Sequence, residues 1–482
     1  MPAALTIAHH ARDEAGGILV FWALALATIM GLAALTFDLG RVASTQTELQ
    51  SFADGVALAA AGELDGNADA IDRATAAAAA LVASDQTFGE GARRLQGAER
   101  YQLFFYDRLP PNDTAPFTLA PTLDGRRARY VRVVAEPVDV RVPFGAALAA
   151  LTGGTRGPAE VGATAVAGFV RYACDVTPLM FCLPNANFRA NEQIGTQILL
   201  RSGGNSAWGP GDFGFLDPST IQINESGPCA GLSGVNRDLC LIGAEGSVAG
   251  CFRQDGVDTE PGQKVGIEDA VLNIRFDIYR GTMNSRRTNP LYRPGPSVIK
   301  GIVPRGGGSC VGNNADPSPD TMVLPRDGCF ASGTCPYPRF GNGVWDRAAY
   351  VAMNHGGAEP AGAGTTRYQM YLAEIAAAAG GPILTGRAET GRPQCAPSYS
   401  TNPERRIVIG AAIDCTANPV AGRTRNVPVQ EFFRLFLTEP VGSNTSSPPT
   451  LNLWVEVVGS AGGVGGGGGS QGRFHEVVQL FR

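Results

Sequence analysis

GGILVFWALALATIMGLAALTF, residues 16–37, decides how this chain is organised. The run has 22 residues and no charged side chain. At a rise of 1.5 Å per residue it makes a helix of about 33 Å, enough to cross a hydrocarbon core of about 30 Å. Two alternatives are a buried core helix and a cleaved signal peptide, whose apolar region is usually only about 7–15 residues long. The run predicts an uncleaved transmembrane helix over residues 16–38.

The helical pattern continues beyond this run, because no proline follows until Pro110. One face of the next stretch carries apolar side chains at helical spacing, among them Leu49, Phe52 and Val56. Asp54 interrupts this stripe and is either a solvated residue or a polar contact that fixes the register with a partner helix. We expect one long helix, half in lipid and half a spine on a globular body; the alternative is an anchor followed by an unrelated short helix.

Small and interfacial residues of the anchor are candidates for packing against other helices in the membrane. Asp38 and Arg41 follow the apolar run with i,i+3 spacing, which suits a weak ion pair. The candidate anchor and packing residues are Gly16, Gly17, Trp22, Gly31, Ala34, Asp38 and Arg41.

The cysteines favour an oxidising compartment. Their number is even, no Cys-x-x-Cys pair occurs, and a structural zinc site would normally show such short gaps. Disulfides would place the chain after residue 38 outside the cytoplasm, whereas small buried thiols are the alternative. We predict at least three bridges, and proximity suggests Cys174/Cys182, Cys329/Cys335 and Cys395/Cys415. The candidates are Cys174, Cys182, Cys229, Cys240, Cys251, Cys310, Cys329, Cys335, Cys395 and Cys415.

Composition indicates an α+β fold whose body is mainly β and rich in loops. The 482 residues include 63 glycines and 33 prolines, which disfavour a helical body. A net charge of −5 argues against a nucleic-acid partner, which normally requires a basic surface. The predicted strands are 101–107, 129–144, 405–415, 431–438, 450–458 and 474–481. Two further helices are predicted, at 68–84 and 366–378. Residues 305–320 are predicted to form an exposed loop, and residues 462–470 a flexible connector.

The search for chemistry assigns no catalytic, metal or cofactor-binding residue. GPGDFG (209–214) matches a dinucleotide loop by letters only, since Pro210 suits neither a preceding strand nor a following helix, and we interpret it as a turn. His355 and His475 are isolated, and the two aspartates of DPSPD (316–320) make a poor calcium site. We therefore expect neither an enzyme nor a small-molecule substrate.

The anchor segment (DEAGGILVFWALALATIMGLAALTFDLGRVASTQTELQSFADGVALAAA, 13–61) resembles the N-terminal signature of the TadG-like family of tight-adherence (Flp-type) pilus-assembly proteins. Its pattern is an apolar helix, Asp38-Leu39-Gly40-Arg41, then Leu49-Gln50 and Ala53-Asp54 before an alanine run. Later stretches also resemble members of that family, so the likeness touches most of the chain: 260–279, 341–355, 367–375, 405–415 and 427–440.

The resemblance implies a non-enzymatic component of a type IV-like pilus machine, anchored in the bacterial inner membrane or envelope. Together with the cysteines, it leads us to expect a single span with the N-terminus inside and the bulk in the periplasm; association with the pilus fibre or the cell surface is the alternative. The expected partners are other pilus-assembly proteins or pilin helices. The expected domains are a cytoplasmic leader (1–15), the transmembrane helix (16–38), a helical spine (39–86), a strand-rich pilin-like region (87–170) and a cysteine-containing extracytoplasmic domain (171–482).

The chain departs from a processed prepilin, which keeps a glutamate five residues into its mature helix. Here Glu14 precedes Gly16 and Gly17. The residues five positions after these glycines, where a prepilin would have its glutamate, are Phe21 and Trp22. We therefore expect a scaffold or minor pilin-like subunit. An exported adhesin or pilus tip subunit is the alternative, and an envelope hydrolase is a third hypothesis.

Overall fold

A computed structural model describes most of the chain. The described residues are 16–81, 84–86, 93–95, 101–110, 117–151, 153–155, 157–174, 176–203, 207–217, 227–245, 251–253, 256–260, 268–312, 315–443, 450–463 and 474–481. The α-helices are α1 (Gly16–Ala61), α2 (Ala70–Ala80), α3 (Pro143–Leu151), α4 (Gly234–Gly243), α5 (Glu268–Asn273), α6 (Gly328–Ser332), α7 (Arg347–His355) and α8 (Arg367–Ala378).

The strands are β1 (Ser84–Gln86), β2 (Arg93–Leu95), β3 (Tyr101–Tyr106), β4 (Tyr130–Ala135), β5 (Val138–Val140), β6 (Ala159–Val161), β7 (Thr164–Cys174), β8 (Leu179–Cys182), β9 (Gln197–Ser202), β10 (Asp212–Phe215), β11 (Cys251–Arg253), β12 (Ile302–Pro304), β13 (Ala315–Pro317), β14 (Ile407–Ile413), β15 (Glu431–Leu437), β16 (Gly442–Ser443), β17 (Leu451–Gly463) and β18 (Phe474–Leu480). Short 3-10 helices occur at Ala190–Glu192, Ile274–Phe276, Gly281–Arg286, Pro290–Tyr292 and Pro403–Arg406.

Helix α1 is one uninterrupted helix of 46 residues. Its alanines and leucines are strong helix formers, and no proline removes a backbone donor. The helix ends at Ala61, and Gly66 turns the chain with a φ of 84°. Arg73 of α2 then forms ion pairs with Glu63 at 2.9 Å and with Asp65 at 2.5 Å, which holds α2 folded back beside α1. The long-helix prediction is thus confirmed.

The chain divides into two compact units, and the first comprises residues 1–169 and 478–482. In its described part, β3, β4 and the first half of β7 form an antiparallel sheet in which Tyr101 lies opposite Ala135. Strands β5 and β6 form a separate pair, and β18 pairs with β7. The second half of α1, together with α2, packs its buried side chains into one core with this sheet.

The second unit, residues 170–477, is built on a sheet that closes on itself. The strand order is β15-β14-β8-β10-β9-β17-β16, and β15 also pairs with β17. The β14–β8 and β10–β9 ladders are parallel and the others antiparallel. One face of this ring carries the largest core of the chain, in which the rings of Phe181 and Phe433 meet edge to face at 5.3 Å. The α+β fold class with a mainly β, loop-rich body is therefore confirmed.

The disulfides lie in the second unit, and they correct two of the pairings expected from proximity. The bridges are Cys182–Cys415, Cys229–Cys240, Cys310–Cys395 and Cys329–Cys335. The expected number of at least three and the Cys329/Cys335 pairing are confirmed. The Cys174/Cys182 and Cys395/Cys415 pairings are wrong, because the parallel β8–β14 ladder sets Cys182 opposite Ile413. Cys174 is disulfide-bonded as well, and Cys251 lies opposite it across the β7–β11 ladder.

Three local predictions are corrected. The predicted strand 129–144 is instead β4 and β5, and helix α3 begins at Pro143. The exposed loop predicted over 305–320 contains β13, which pairs with β12. The connector predicted from residue 462 begins inside β17, which runs to Gly463; residues 464–470 lie outside the described part of the chain. By contrast, the helix predicted at 366–378 is confirmed as α8, with Thr366 forming a capping box with Gln369.

Candidate membrane and helix-packing site

The large apolar side chains in the first half of α1 are exposed and contact no hydrophobic core of the described residues. They are between 51% exposed at Leu35 and 74% exposed at Leu19, and Trp22 is 65% exposed. Within the described residues, α1 is the one helix long and apolar enough to cross a membrane, and none of its apolar window is buried in the protein. Exposing so much contiguous apolar surface to water is unfavourable, so this half of the helix suits an apolar environment. It is therefore a candidate membrane anchor.

In the second half of α1 the apolar side chains of the stripe are buried, because they pack inside the first unit. Leu49 and Val56 are 0% exposed, and Phe52 is 5% exposed. The Phe52 ring lies 6.1 Å from the Tyr101 ring of β3, centroid to centroid. Alanines 53, 57, 60 and 61 are fully buried, so the small side chains that let a second element approach closely are used within this unit. The spine residues predicted from the sequence thus lie in a core.

Two glutamines connect this half of α1 to the start of β7 and to the residues just before it. Gln46 Nε2 donates to the carbonyl of Gly162 at 2.9 Å, and Gln50 Nε2 donates to the carbonyl of Thr164 at 3.1 Å. Gln50 Nε2 also lies 2.8 Å from Asp54 Oδ1. Asp54, for which the sequence left two roles open, therefore accepts a hydrogen bond within its own helix. These contacts fix the rotation of α1 relative to the sheet.

Asp38 marks the change from the exposed half to the buried half. It is 5% exposed, and its Oδ2 accepts a hydrogen bond of 2.6 Å from the backbone N–H of Gly145 in the first turn of α3. A carboxylate in this place satisfies a helix N-terminus that has no internal acceptor. One residue earlier, the Phe37 ring meets the Phe144 ring edge to face at 5.7 Å. Helix α3 is therefore fastened to α1 at the end of the anchor.

The remaining anchor candidates face outward or lie outside the described side chains. A Cβ placed on Gly31 would meet no atom within 4 Å, and Ala34 is half-buried. Gly16 and Gly17 belong to the helix, but their surroundings are outside the described part of the chain. The predicted ion pair between Asp38 and Arg41 stays a prediction.

The sequence analysis missed α3 as part of this site. Residues 142–155 (VPFGAALAALTGGT) carry no charge, proline stands at the first helical position, and six of the nine helical residues are alanine or leucine, all strong helix formers. This signal was available. The residues before α3 alternate between apolar and polar, as in a strand. The strand was therefore predicted to continue to Phe144, and the start of the helix was missed.

The most prominent charged cluster is buried in the second unit. Arg367 is 0% exposed and contacts Asp327 and, at 3.1 Å from Nη1 to Oε2, Glu456. Burial raises the pKa of Glu456, although Arg367 and two backbone N–H groups oppose that rise. The same Arg367 side chain donates to the carbonyls of Pro325 and Gly195. These partners of Arg367 all belong to the second unit, so the cluster links distant segments within that unit.

Residues weighed for catalysis or metal binding are occupied by local contacts. His355 Nε2 lies 2.9 Å from Glu374 Oε1, which also accepts from the Tyr350 hydroxyl at 2.7 Å. Asp316 pairs with Arg305 at 2.9 Å, and Asp320 accepts from the N–H of Ala388. Among the described residues, no group of three or more acidic, histidine or cysteine side chains could hold a metal ion.

Comparison with known families assigns the segment that contains this anchor. Residues 16–63 match the family model described as putative Flp pilus-assembly TadE/G-like. No curated protein and no solved structure matches the chain. The matched residues are α1 and the two residues after it, that is, the exposed span and the buried stripe together. The segment that holds the candidate membrane span is therefore similar to the TadE/G-like Flp pilus-assembly family, and the match is confined to residues 16–63.

Proposed function

We propose that this protein is a non-enzymatic, membrane-tethered component of an Flp-type pilus-assembly apparatus. The observation that carries the proposal is the difference in exposure between the first and second halves of α1. The large apolar side chains of residues 19–37 are exposed, the apolar stripe from Leu49 to Ala61 is buried in the first unit, and the match to the pilus-assembly family model covers both. One rigid helix therefore joins a membrane span directly to a folded unit.

We propose the bacterial inner membrane as the site of the anchor, with the N-terminus in the cytoplasm and both units in the periplasm. The cysteines support this orientation. The bridges of the second unit include Cys182–Cys415, which links residues 233 apart, and such bonds persist in oxidising compartments. A body folded in the cytoplasm would be exposed to thiols that keep cysteines reduced.

Scaffold and minor pilin-like subunit are the two roles that a tethered component could play. The spine residues are already covered by this chain's own first unit, so Phe52 and Val56 are not available to a partner. The span is available, and Gly31 offers a place where another helix could approach the backbone closely. We favour a scaffold that contacts pilin or assembly-protein helices through its span within the membrane.

The test is fractionation of the native bacterium with an antibody against the second unit, combined with the intact mass of the captured protein. A tethered scaffold is recovered in inner-membrane fractions with residues 16–37 still attached, and sheared fibres lack it. Recovery from sheared fibres would establish a fibre subunit or adhesin instead. A mass that lacks the span would establish processing.

A matched pair of variants shows whether the span itself holds the protein. Leu26→Arg together with Ile29→Arg places two charges in the apolar run, and we expect the protein to move to the soluble periplasmic fraction or to be degraded. Leu123→Arg is the control, because Leu123 lies in the first unit and is 93% exposed. If the double variant stays in the membrane as the control does, the tether lies elsewhere.

A further inference from the structure

Helix α3 has an unusual surface for a water-exposed element. Its sequence, PFGAALAAL, contains no polar side chain, and none of its described side chains is buried. Phe144 is 46% exposed and Leu148 is 64% exposed. Exposing a wholly apolar helix to water is unfavourable, and α3 does not bury its side chains in a core. The helix therefore suits contact with an apolar phase.

The position of α3 identifies that phase. The Phe144 ring contacts Phe37, which is the last residue of the apolar run and is itself 55% exposed. The Asp38 carboxylate holds the N–H of Gly145, so the start of α3 is fixed at the level where the span ends. The apolar surface of α3 is therefore continuous with that of the span.

We propose that α3 lies in the lipid interface of the membrane, as a second contact beside the span. Helices that lie in the membrane interface insert their apolar side chains by about 5–10 Å at the boundary between headgroups and acyl chains. Phe144 and Leu148 enter the acyl region, and the exposed Arg141 just before the helix lies at the level of the phosphates. This inference rests on the proposed membrane anchoring.

Two contacts to the bilayer have a mechanical meaning. The tilt and rotation of a membrane helix are set by its contacts with neighbouring groups and with the interface. A second apolar helix beside the span therefore gives the span a preferred tilt and rotation. Helix α3 would thus set how the first unit stands on the membrane.

The test measures the depth of spin labels in the full-length protein, reconstituted in vesicles of phosphatidylethanolamine and phosphatidylglycerol. Nitroxides are attached at Leu148→Cys, at Leu123→Cys as the exposed control in the same unit, and at Leu26→Cys within the span. We expect collisions with oxygen, relative to a water-soluble nickel chelate, to be several-fold more frequent at Leu148 than at Leu123. We expect Leu26 to give the highest ratio.

The outcomes separate this inference from the anchoring on which it rests. A label at Leu148 that the nickel chelate reaches as easily as it reaches Leu123, while Leu26 stays in lipid, overturns the role of α3 and leaves the anchor intact. Shielding of Leu148 from both reagents means that protein covers α3, which also overturns the proposal. A label at Leu26 that is open to the nickel chelate overturns the anchor itself.

Discussion

The Asp38 carboxylate accepts a hydrogen bond of 2.6 Å from the backbone N–H of Gly145, 107 residues further along the chain. This bond joins the end of the apolar run to the first turn of α3. We expect Asp38→Ala to expose that turn and to accelerate hydrogen exchange at the Gly145 amide. Losing such a capping acceptor costs about 0.5–2 kcal/mol. Asp139→Ala, on the exposed face of β5, is the matched control; equal exchange in the two variants would contradict the capping role.

Phe52 anchors the spine to the sheet of the first unit. Its ring is 5% exposed and lies 6.1 Å from that of Tyr101. We expect Phe52→Ala to lower the free energy of unfolding of this unit by about 3–5 kcal/mol, since it leaves a cavity in a packed core. Hydrogen exchange of the β3 peptide measures this change without signal from the second unit. The exposed neighbour Ser51→Ala should change exchange by less than about 0.5 kcal/mol.

Asp65 makes the turn after α1 sensitive to acid. Burial alone would raise its pKa, but hydrogen bonds from the Asn67 N–H and from Arg73 hold the pKa below its usual value. A carboxyl group with a lowered pKa stabilises the fold at pH values above the pKa of the unfolded chain and loses that contribution as the pH falls through the folded pKa. We expect Asp65→Asn to cost about 0.5–1 kcal/mol at neutral pH.

The cost of Asp65→Asn should then shrink as the medium is acidified below the usual pKa of aspartate, since the wild-type carboxyl group becomes neutral as well. Hydrogen exchange of the α2 peptide over a pH series, corrected for the intrinsic exchange rate, measures this. A cost that is constant down to pH values where all carboxyl groups are protonated would refute the assignment.

The Cys182–Cys415 bridge closes a far longer loop than the Cys329–Cys335 bridge, with sequence separations of 233 and 6. Because a crosslink restricts the unfolded chain more when its loop is longer, the double replacement Cys182→Ala/Cys415→Ala should cost about 4–5 kcal/mol, and Cys329→Ala/Cys335→Ala about 2 kcal/mol. Trp208, Trp345 and Trp454 lie in the second unit, so denaturant titrations followed by tryptophan fluorescence report on it. The reverse order of cost would exclude the loop-length explanation.

Arg367 neutralises two buried carboxylates, those of Asp327 and Glu456. We expect Arg367→Met to lower the free energy of unfolding of the second unit by about 3–5 kcal/mol, because both carboxylates would stay buried without their cation. Arg305→Met is the control, since its ion pair with Asp316 is 62% exposed on the arginine side and should contribute less than about 1 kcal/mol. The same fluorescence titration distinguishes the two variants.

The sequence predicted the features that depend on local patterns. The length of α1 follows from an uninterrupted run of helix formers, and its buried stripe follows from the 3.6-residue period around Phe52. Helix α8 was predicted from apolar side chains that share one face, such as Tyr371 and Ile375, and in the structure Thr366 forms its capping box. Each of these signals lies within a few residues of the structure that it specifies.

Features that depend on distant pairing could not be predicted. Cys182 meets Cys415 because β8 and β14 form a parallel ladder, and no property of either strand alone selects that neighbour. The closure of the second unit likewise depends on β15 pairing with both β14 and β17. The contact between Asp38 and Gly145 was hidden for the same reason, since the fold and not the helix brings α3 to the end of the span.

The second unit is inserted in the sequence of the first, between residues 169 and 478, and this has a consequence for how the protein could diversify. The chain leaves the first unit along β7, completes the second unit, and returns in β18, which pairs with β7; the N–H of Phe481 bonds to the carbonyl of Val166. The segments of the first unit that precede and follow the insertion are therefore neighbours within that unit, as in domains that tolerate insertion. We expect the 170–477 module to be exchangeable for another of different size, while the anchor and its supporting unit keep their structure.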